Sequence, residues 1–322
     1  METRILKKNE TAAAAEILKK NRLLAFPTET VYGLGANAFN PHAITSIYKA
    51  KGRPTDNPMI IHIADKKDLG KIAKEIPDNA RRLTDRFWPG PLTIVLKKRA
   101  CIPDEATAGL PTVAVRCPKN KIAQKIIRNC GFPIAAPSAN KSGRPSPTTA
   151  KHVIEDLGGK IDAIIDGGDS KHGLESTVID MTVKPPIILR PGAVTEEQIR
   201  KTIGKVKTHR GGEKMPKSPG MKYRHYAPKA KVVLVDTKQI DTEIAKYKKQ
   251  KKRVGLLSNA KKGKPDIYIS NGKNKRETAK NLYKNLRTFD QKNTDVIIVE
   301  KTDEKGLGNA IMNRLRKAAG KK

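Results

Sequence analysis

The chain has 322 residues, with 66 lysines and arginines against 32 aspartates and glutamates, and its formal net charge is +34 at pH 7. The sequence shows no apolar run of the ~18 residues that a membrane-spanning helix needs, and its N-terminal segment lacks the apolar region of a secretory signal. It has three cysteines, Cys101, Cys117 and Cys130, whose wide spacing argues against a disulfide framework and a thiolate zinc site. We therefore expect a cytosolic protein, long enough for two domains.

The excess of basic residues has two interpretations. A surface of this charge attracts polyanions such as nucleic acid or nucleotides. However, the lysines are spread along most of the chain, and aromatic residues make up only 4% of it, so no stacking platform for single-stranded nucleic acid is indicated. A general lysine bias and a functional nucleic-acid contact both remain open.

Strand and helix patterns alternate up to residue 204. Apolar runs predict buried strands, and apolar residues at helical spacing predict helices. Strands are predicted at residues 23–26, 59–63, 92–96, 113–116, 134–136, 161–165, 177–181 and 187–189. Helices are predicted at residues 10–20, 41–51, 64–74, 78–87 and 122–128, then from Ser146-Pro147 with Ser146 as the N-cap, and from a capping box at Thr195 to Ile203.

The pattern is lost in the middle of the chain. Residues 207–229 contain repeated glycine and proline without periodicity, which predicts a linker, and a loop of this length is usually functional or disordered. Beyond it, strands are predicted at residues 232–235, 254–257, 267–269 and 296–299, and helices at 237–249, 275–289 and 308–318. This alternation predicts a small parallel sheet between two helical layers. The two domains are therefore expected at residues 1–206 and 230–322.

The segment between the first two predicted strands is dense in unusual residues. Gly33 and Gly35 formally match a dinucleotide-binding fingerprint, but the next helix begins only at Pro41, so the tight strand-to-helix turn of that motif is missing. We interpret these glycines as positions where the backbone approaches a ligand or a neighbouring strand. Lys51 and Arg53 could grip a polyphosphate. Cations that decorate a helix C-terminus are an equal alternative.

Polar residues also accompany later strands. Ser138 and Asn140 follow an apolar strand directly, where open α/β sheets bind ligands, although turn chemistry explains them equally well. Arg116 shares a strand face with Thr112, which indicates a carboxylate partner on either a ligand or the protein. Ser176 could line a pocket or cap a turn.

Together these residues resemble one known family. Lys51-x-Arg53 followed far downstream by Ser138-x-Asn140 resembles the signature of the YrdC-like threonylcarbamoyl-AMP synthase family. The runs at residues 26–34, 88–93, 137–140, 175–178 and 190–192 agree with it, and the resemblance covers residues 10–204. Residues 218–221 and 225–228 resemble the linker of the family's long, two-domain form. The last unit resembles the Rossmann-like C-terminal domain of that form in pattern.

The resemblance implies a fold and a reaction. The expected fold is α/β, a YrdC-like twisted mixed sheet with flanking helices, plus a small Rossmann-like parallel α/β C-terminal domain. The implied reaction converts ATP, bicarbonate and L-threonine into threonylcarbamoyl-AMP and pyrophosphate. The product supplies the tRNA-modifying threonylcarbamoyl transferase machinery. Mg²⁺ is expected to enter with ATP by bridging phosphate oxygens, with no metal ligand from the protein.

The resemblance also implies two groups of site residues and a lid. The expected ATP-binding residues are Lys51, Arg53, Asn57, Thr112, Ser138, Asn140, Ser146, Arg190 and Tyr226. The expected threonine-binding residues are Thr30, His62, Arg116, Ala136 and Ser176. Because Tyr226 belongs to the linker, the linker is expected to fold over the pocket and shield a reactive adenylate from water. No general base is evident, so catalysis is expected to rest on positioning and electrostatics.

Other functions make different predictions. An RNA-binding regulatory module without nucleotide turnover, motivated by the charge, would bind RNA with a steep salt dependence. A direct carbamoyl transferase that contains a YrdC-like unit is disfavoured, because the zinc-finger and acylphosphatase-like segments of such proteins are absent from the sequence. The histidines show no metal-ligand spacing, and no Walker loop or Gly-x-Ser-x-Gly elbow is present.

Overall fold

The computed structural model describes residues 2–209 and 225–320, which form two sheets with their helices. The first sheet is built from β1 (Arg4–Leu6), β2 (Leu24–Phe26), β3 (Gly33–Asn37), β4 (Ile60–His62), β5 (Leu92–Lys97), β6 (Thr112–Arg116), β7 (Ile134–Ala135), β8 (Ala163–Ile165), β9 (Thr177–Asp180), β10 (Ile187–Arg190) and β11 (Lys207–Thr208). Its helices are α1 (Thr11–Lys19), α2 (Pro41–Lys51), α3 (Leu69–Ile72), α4 (Asp78–Phe87), α5 (Asp104–Thr107), α6 (Lys121–Cys130), α7 (Ala150–Leu157) and α8 (Glu196–Ile203).

The first sheet has eleven strands and mixes parallel with antiparallel pairs. Their order across the sheet is β1-β8-β2-β3-β7-β4-β6-β5-β9-β10-β11. The two central strands β4 and β6 are parallel and pair His62 with Arg116, so both strands end at the same edge of the sheet. The expected mixed α/β architecture is confirmed.

Both faces of this sheet are covered. Along β2, Ala25 packs into one hydrophobic cluster, whereas Leu24 and Phe26 pack into another, because successive strand residues point to opposite faces. Helix α2 contributes Ile44 to the first cluster, and α6 contributes Ile127 to the second. Burial on both faces explains why these strands read as continuous apolar runs.

The second sheet is a separate parallel unit. Its strands are β12 (Lys231–Val235), β13 (Val254–Ser258), β14 (Ile267–Ser270) and β15 (Val296–Glu300), in the order β12-β15-β13-β14, and its helices are α9 (Ile240–Lys249), α10 (Lys275–Gln291) and α11 (Leu307–Ala318). All of its strand pairs are parallel, as predicted. Within residues 2–209 and 225–320, no helix combines the length and the apolar character that crossing a bilayer requires.

Helix α2 shows how local sequence sets the approach to the pocket. The Asn40 side chain accepts a hydrogen bond from the Ala43 amide, and Pro41 occupies the first turn, where its missing N–H costs nothing. Gly52, at φ 58°, ends the helix in the left-handed conformation that favours glycine. The chain therefore turns sharply, and Arg53 lies beyond the helix end.

The two glycines of the false fingerprint lie in strand β3. A Cβ on Gly35 would come within 2.8 Å of both the Phe26 ring and the Ile134 side chain. The interpretation of Gly35 as a position of close approach is confirmed. The strand itself was not predicted, because glycine is depleted in strands and carries no apolar pattern.

The predicted helix start at Ser146-Pro147 is wrong. Helix α7 begins at Ala150, and its N-cap is Thr149, whose side chain accepts a hydrogen bond from the His152 amide. The Ser146 hydroxyl instead donates to the carboxylate of Glu175. A tertiary partner has replaced the local capping role that the sequence suggested.

Candidate active site

A pocket at the shared edge of β4 and β6 collects most of the predicted site residues. His62 and Arg116 end these neighbouring parallel strands, which is where open α/β sheets place their ligand crevices. The pocket is lined by Thr28, Thr30, Val31, Tyr32, Gly33, Arg53, Ile60, His62, Arg116, Ala136, Pro137, Ser138, Glu175, Ser176, Arg190, His225 and Tyr226. All of the predicted threonine-binding residues are among them, with Arg53, Ser138, Arg190 and Tyr226 of the predicted ATP-binding set.

The other predicted ATP-binding residues lie outside the lining. They include four buried residues that are each hydrogen-bonded to a lining residue: Lys51, Asn57, Asn140 and Ser146. Thr112 begins β6, four residues before Arg116, which is ~13 Å along a strand. The first four can act on a ligand by holding the wall in place. Thr112 lies two residues from Ala114, which pairs with the lining residue Ile60, so its role in ATP binding stays a prediction.

Arg116 has a protein carboxylate partner. Its Nη2 lies 2.8 Å from Oε1 of Glu29, and both side chains are about 95% buried, with 4% and 5% exposed. Its Nη1 donates to the Thr30 hydroxyl at 2.9 Å. Burial alone would raise the pKa of Glu29, but the Arg116 cation and nearby backbone N–H groups together outweigh it and the pKa is lowered. Arg116 is therefore a fixed, charged group of the pocket whose guanidinium orientation is set by the protein.

His62 is a neutral hydrogen-bonding group rather than an acid. Burial lowers its pKa to about 3, and the neighbouring Arg116 cation acts in the same direction. Nδ1 lies 3.1 Å from the Ile60 carbonyl oxygen, which can only accept, so Nδ1 carries the proton and Nε2 is left as an acceptor. The imidazole therefore offers an acceptor at neutral pH.

Arg53 is a buried cation held by backbone carbonyls. Its Nε and Nη2 donate to the carbonyls of Asn57 and Pro58, at 3.1 and 2.9 Å. Burial lowers its pKa to about 10, so the guanidinium stays charged at neutral pH. A buried, charged arginine in a pocket wall is suited to an anionic ligand.

Lys51 ties helix α2 to the loop after β7. Its ammonium donates to the carbonyl of Ser138 at 2.5 Å and to that of Asn140. Burial, with the adjacent Arg53 cation, lowers the pKa of Lys51 well below its usual range. The Ser138 hydroxyl in turn donates to the Asn140 side chain at 2.5 Å. The two halves of the Lys-x-Arg and Ser-x-Asn signature are thus joined by hydrogen bonds.

Arg190 and Ser176 form a second fixed pair. Nε and Nη2 of Arg190 donate to the Ser176 carbonyl at 3.1 and 3.0 Å, and Nη2 also reaches the Ser176 hydroxyl at 3.2 Å. That hydroxyl lies 2.7 Å from the hydroxyl of Thr93 on β5. The serine therefore links the cationic side of the pocket to the core of the sheet.

Glu175 is a pocket residue that sequence reasoning did not assign. Its carboxylate accepts hydrogen bonds from the hydroxyls of Ser146 and Tyr283 and from Nε of Arg314 at 2.7 Å. Burial would raise its pKa, but the cations Arg314 and Arg190, together with the hydrogen bonds from Ser146 and Arg314, outweigh it and lower the pKa to about 2. The only sequence signal was its place in a family-like run before Ser176, because its partners are far away in the chain.

The end of the predicted linker forms part of the pocket wall. Tyr226 has a φ of 63° and stacks on Tyr283, with ring centroids 5.5 Å apart. The guanidinium of Arg314 also lies over the Tyr226 ring, with its Cζ 5.3 Å from the centroid. Residues 210–224, most of the predicted lid, lie outside the described residues, so the lid stays a prediction.

Two family models match the chain. The Sua5_yciO_yrdC model, described as "Telomere recombination", matches residues 16–192, and the model described as "Threonylcarbamoyl-AMP synthase, C-terminal domain" matches residues 194–320. The junction between them falls inside the first unit, since the first sheet continues to Thr208 in β11.

Individual proteins match over nearly the full length. A protein of Pyrococcus abyssi named threonylcarbamoyl-AMP synthase is 51% identical, covering 95% of this chain and 93% of the relative. One of Bacillus subtilis with the same name is 47% identical, covering 97% and 93%. The crystal structure of P. abyssi Sua5 complexed with L-threonine superimposes with a TM-score of 0.95 at 49% identity, covering 99% of this chain and 98% of the other.

Proposed function

This chain belongs to the Sua5/YciO/YrdC family in its long, threonylcarbamoyl-AMP synthase form, and on that premise we propose that it converts L-threonine, bicarbonate and ATP into threonylcarbamoyl-AMP and pyrophosphate. The chain is thus an enzyme of this synthase class. The observation that carries the proposal for its substrates is one pocket with two chemically different halves. Arg116, His62 and Thr30 form a polar half, and Arg53 and Arg190 form a cationic half.

The polar half suits a hydroxy amino acid. Threonine has a carboxylate, an amine and a hydroxyl, so its site needs a cation, acceptors and small polar neighbours. Arg116 supplies the cation, and the neutral imidazole of His62 supplies an acceptor for an O–H or N–H group. The P. abyssi relative was crystallised as a complex with L-threonine, which supports the same ligand here.

The cationic half suits a triphosphate. Arg53 brings a buried positive charge held by carbonyls, and Arg190 and Ser138 lie in the same wall. We propose that Mg²⁺ enters with ATP and neutralises phosphate oxygens. We propose that this metal is held chiefly by phosphate and water, which requires few ligands from the protein.

The reaction then proceeds by positioning. The threonine amine attacks bicarbonate, a C–N bond forms and water leaves, giving a carbamate. A carbamate oxygen attacks the α-phosphorus of ATP, and pyrophosphate leaves with the electrons of the broken P–O bond. With a pKa of about 3, His62 is a weak base, so we assign it to holding threonine rather than to proton transfer. The fixed arginines stabilise the charge that develops on phosphorus oxygens.

The product is a reactive mixed anhydride, and the molecule that accepts its threonylcarbamoyl group is not bound in this pocket. We propose that it passes to tRNA-modifying threonylcarbamoyl transferase machinery in the cytoplasm, where ATP, threonine and tRNA occur together. Direct RNA contact through the basic surface remains a prediction.

Pyrophosphate release tests the proposed function. The full chain should release pyrophosphate from ATP only when threonine and bicarbonate are both present, and mass spectrometry should detect threonylcarbamoyl-AMP. Omission of each substrate in turn provides the controls. Release at the full rate without threonine would contradict the proposal.

A further inference from the structure

Two residues of the second unit contact a carboxylate in the pocket of the first. Glu175 lies in the segment that connects strands β8 and β9, and its side chain lines the pocket. Arg314 of α11 donates to it through Nε at 2.7 Å, and Tyr283 of α10 donates to both of its oxygens at 3.0 and 2.9 Å. The Arg314 side chain is 0% exposed. The site is therefore incomplete without the second unit.

The position of Glu175 gives this contact a consequence for ligand binding. The carboxylate shares the pocket wall with Arg53 and Arg190, the cations that we assign to the triphosphate. An ionised carboxylate in a buried wall repels a neighbouring phosphate more strongly than it would in water. The Arg314 cation cancels that charge, and Tyr283 fixes where the carboxylate points.

Glu175 is also linked to Arg190 through the backbone of the next residue. Glu175 precedes Ser176, whose carbonyl and hydroxyl accept three hydrogen bonds from Arg190. A displaced Glu175 would move these acceptors and the arginine bound to them. The same Arg314 and Tyr283 side chains also pack against Tyr226 in the pocket wall.

We propose that Arg314, assisted by Tyr283, is a positioning residue that neutralises Glu175 and thereby makes the cationic half of the pocket competent to bind the triphosphate of ATP. The inference rests on the proposed function, which identifies the anion as ATP. It gives the second unit a defined role in the reaction, as the source of the charge that balances a pocket carboxylate.

Removal of the Arg314 charge tests the proposal. Arg314→Gln is expected to raise the KM for ATP about 10-fold or more and to change the KM for threonine less than about 2-fold, because loss of one partner of a buried charge pair has a large local effect. Arg314→Lys should retain most of the ATP affinity. The double variant Glu175→Gln/Arg314→Gln should recover ATP affinity to within about 3-fold, since no carboxylate then needs a counter-charge.

Arg287 provides the matched control. It belongs to α10, is 1% exposed, and pairs across the same interface with Asp156 at 2.6 Å, but Asp156 does not line the pocket. Arg287→Gln should lower the melting temperature without changing the ratio of the two KM values. Where Arg314→Gln does not fold, Tyr283→Phe serves as the second variant, with an increase of about 3-fold expected for ATP alone.

Three outcomes would overturn the proposal: equal changes in both KM values for Arg314→Gln, no recovery in the double variant, or the same ATP effect in Arg287→Gln. Calorimetric binding of Mg-ATP to each variant gives a readout independent of turnover. A wild-type protein without threonine-dependent pyrophosphate release would refute the proposed function, whereas an active wild type with unchanged Arg314 variants would refute this inference alone.

Discussion

The arginines of the pocket differ in what surrounds their charge. Arg116 is paired with the buried carboxylate of Glu29, whereas Arg53 is held by backbone carbonyls. An arginine in an ion pair gives a ligand well-oriented N–H donors, but its charge is largely neutralised by the carboxylate. An arginine held by neutral carbonyls gives a ligand both N–H donors and a net positive charge. This difference matches an amino-acid carboxylate on one side and a polyphosphate on the other.

Arg53→Met should therefore impair ATP use far more than threonine binding. We expect the KM for ATP to rise about 100-fold, because a buried charge-assisted contact is lost, while the threonine affinity measured by calorimetry changes little. Arg99→Met is a suitable control, since Arg99 also donates its Nε to backbone carbonyls but is exposed on the surface. Equal effects of the two substitutions would show that Arg53 acts only on folding.

The buried imidazole of His62 should make stability depend on pH. Its pKa is about 3 in the folded state, below the ordinary value of 6.5, so its contribution is complete above pH 6.5 and is lost as the pH falls towards 3. At pH 5 the wild type should have lost about 2 kcal/mol of unfolding free energy through this group. Urea denaturation at pH 7 and pH 5 should show a smaller loss in His62→Gln. An identical pH dependence in both proteins would contradict this.

At the scale of elements, helix bounds could be predicted from the sequence where the capping residues lie next to the helix in the chain. Helix α2 has its predicted bounds, because Asn40, Pro41 and Gly52 supply cap, first turn and stop. The capping box of Thr195 and Gln198 is likewise present at the start of α8. Strand β3 and the true start of α7 were missed, since close packing at Gly35 and the Glu175 contact of Ser146 are tertiary effects.

The same distinction applies to the pocket. Residues in family-like runs could be proposed from the sequence, and those predicted for threonine lie together in the structure. Tyr283 and Arg314 could not be proposed, because their partner Glu175 is 108 and 139 residues away in the chain. A helix pattern shows which face is apolar but does not show which buried charge it will meet.

Gly35 tests the packing of β3 against its neighbours. Gly35→Ala should destabilise the protein by about 1–3 kcal/mol, because its new Cβ would lie 2.8 Å from the Phe26 ring and from the Ile134 side chain. Gly70→Ala is the control, since nothing lies within 4 Å of its Cβ position and the residue is helical. Thermal denaturation measures both. Equal melting temperatures would show that β3 accommodates the added methyl group.

At the scale of the whole molecule, the charge of +34 dominates the long-range field. Most of the ion pairs outside the pocket and the interface are exposed, and such pairs contribute little to stability. The basic surface is therefore available to attract polyanions in solution.

Any RNA affinity should be electrostatic and separate from catalysis. We expect binding of tRNA to weaken at least about 10-fold between roughly 50 and 200 mM salt, while pyrophosphate release at saturating ATP and threonine changes little. Filter binding and the pyrophosphate assay, run in the same buffers, measure the two quantities. RNA affinity without salt dependence, or turnover that requires RNA, would contradict this expectation.

The interface between the two units also limits how the chain can be divided. The family models meet at residue 193, yet a fragment ending at Thr208 would keep the first sheet and lose both Arg287 and Arg314. Glu175 and Asp156 would then have fewer counter-ions than in the full chain. Acids of the first unit are therefore neutralised by arginines of the second, although sequence comparison separates the two units. A second unit taken from another protein would have to supply both arginines as well as the fold.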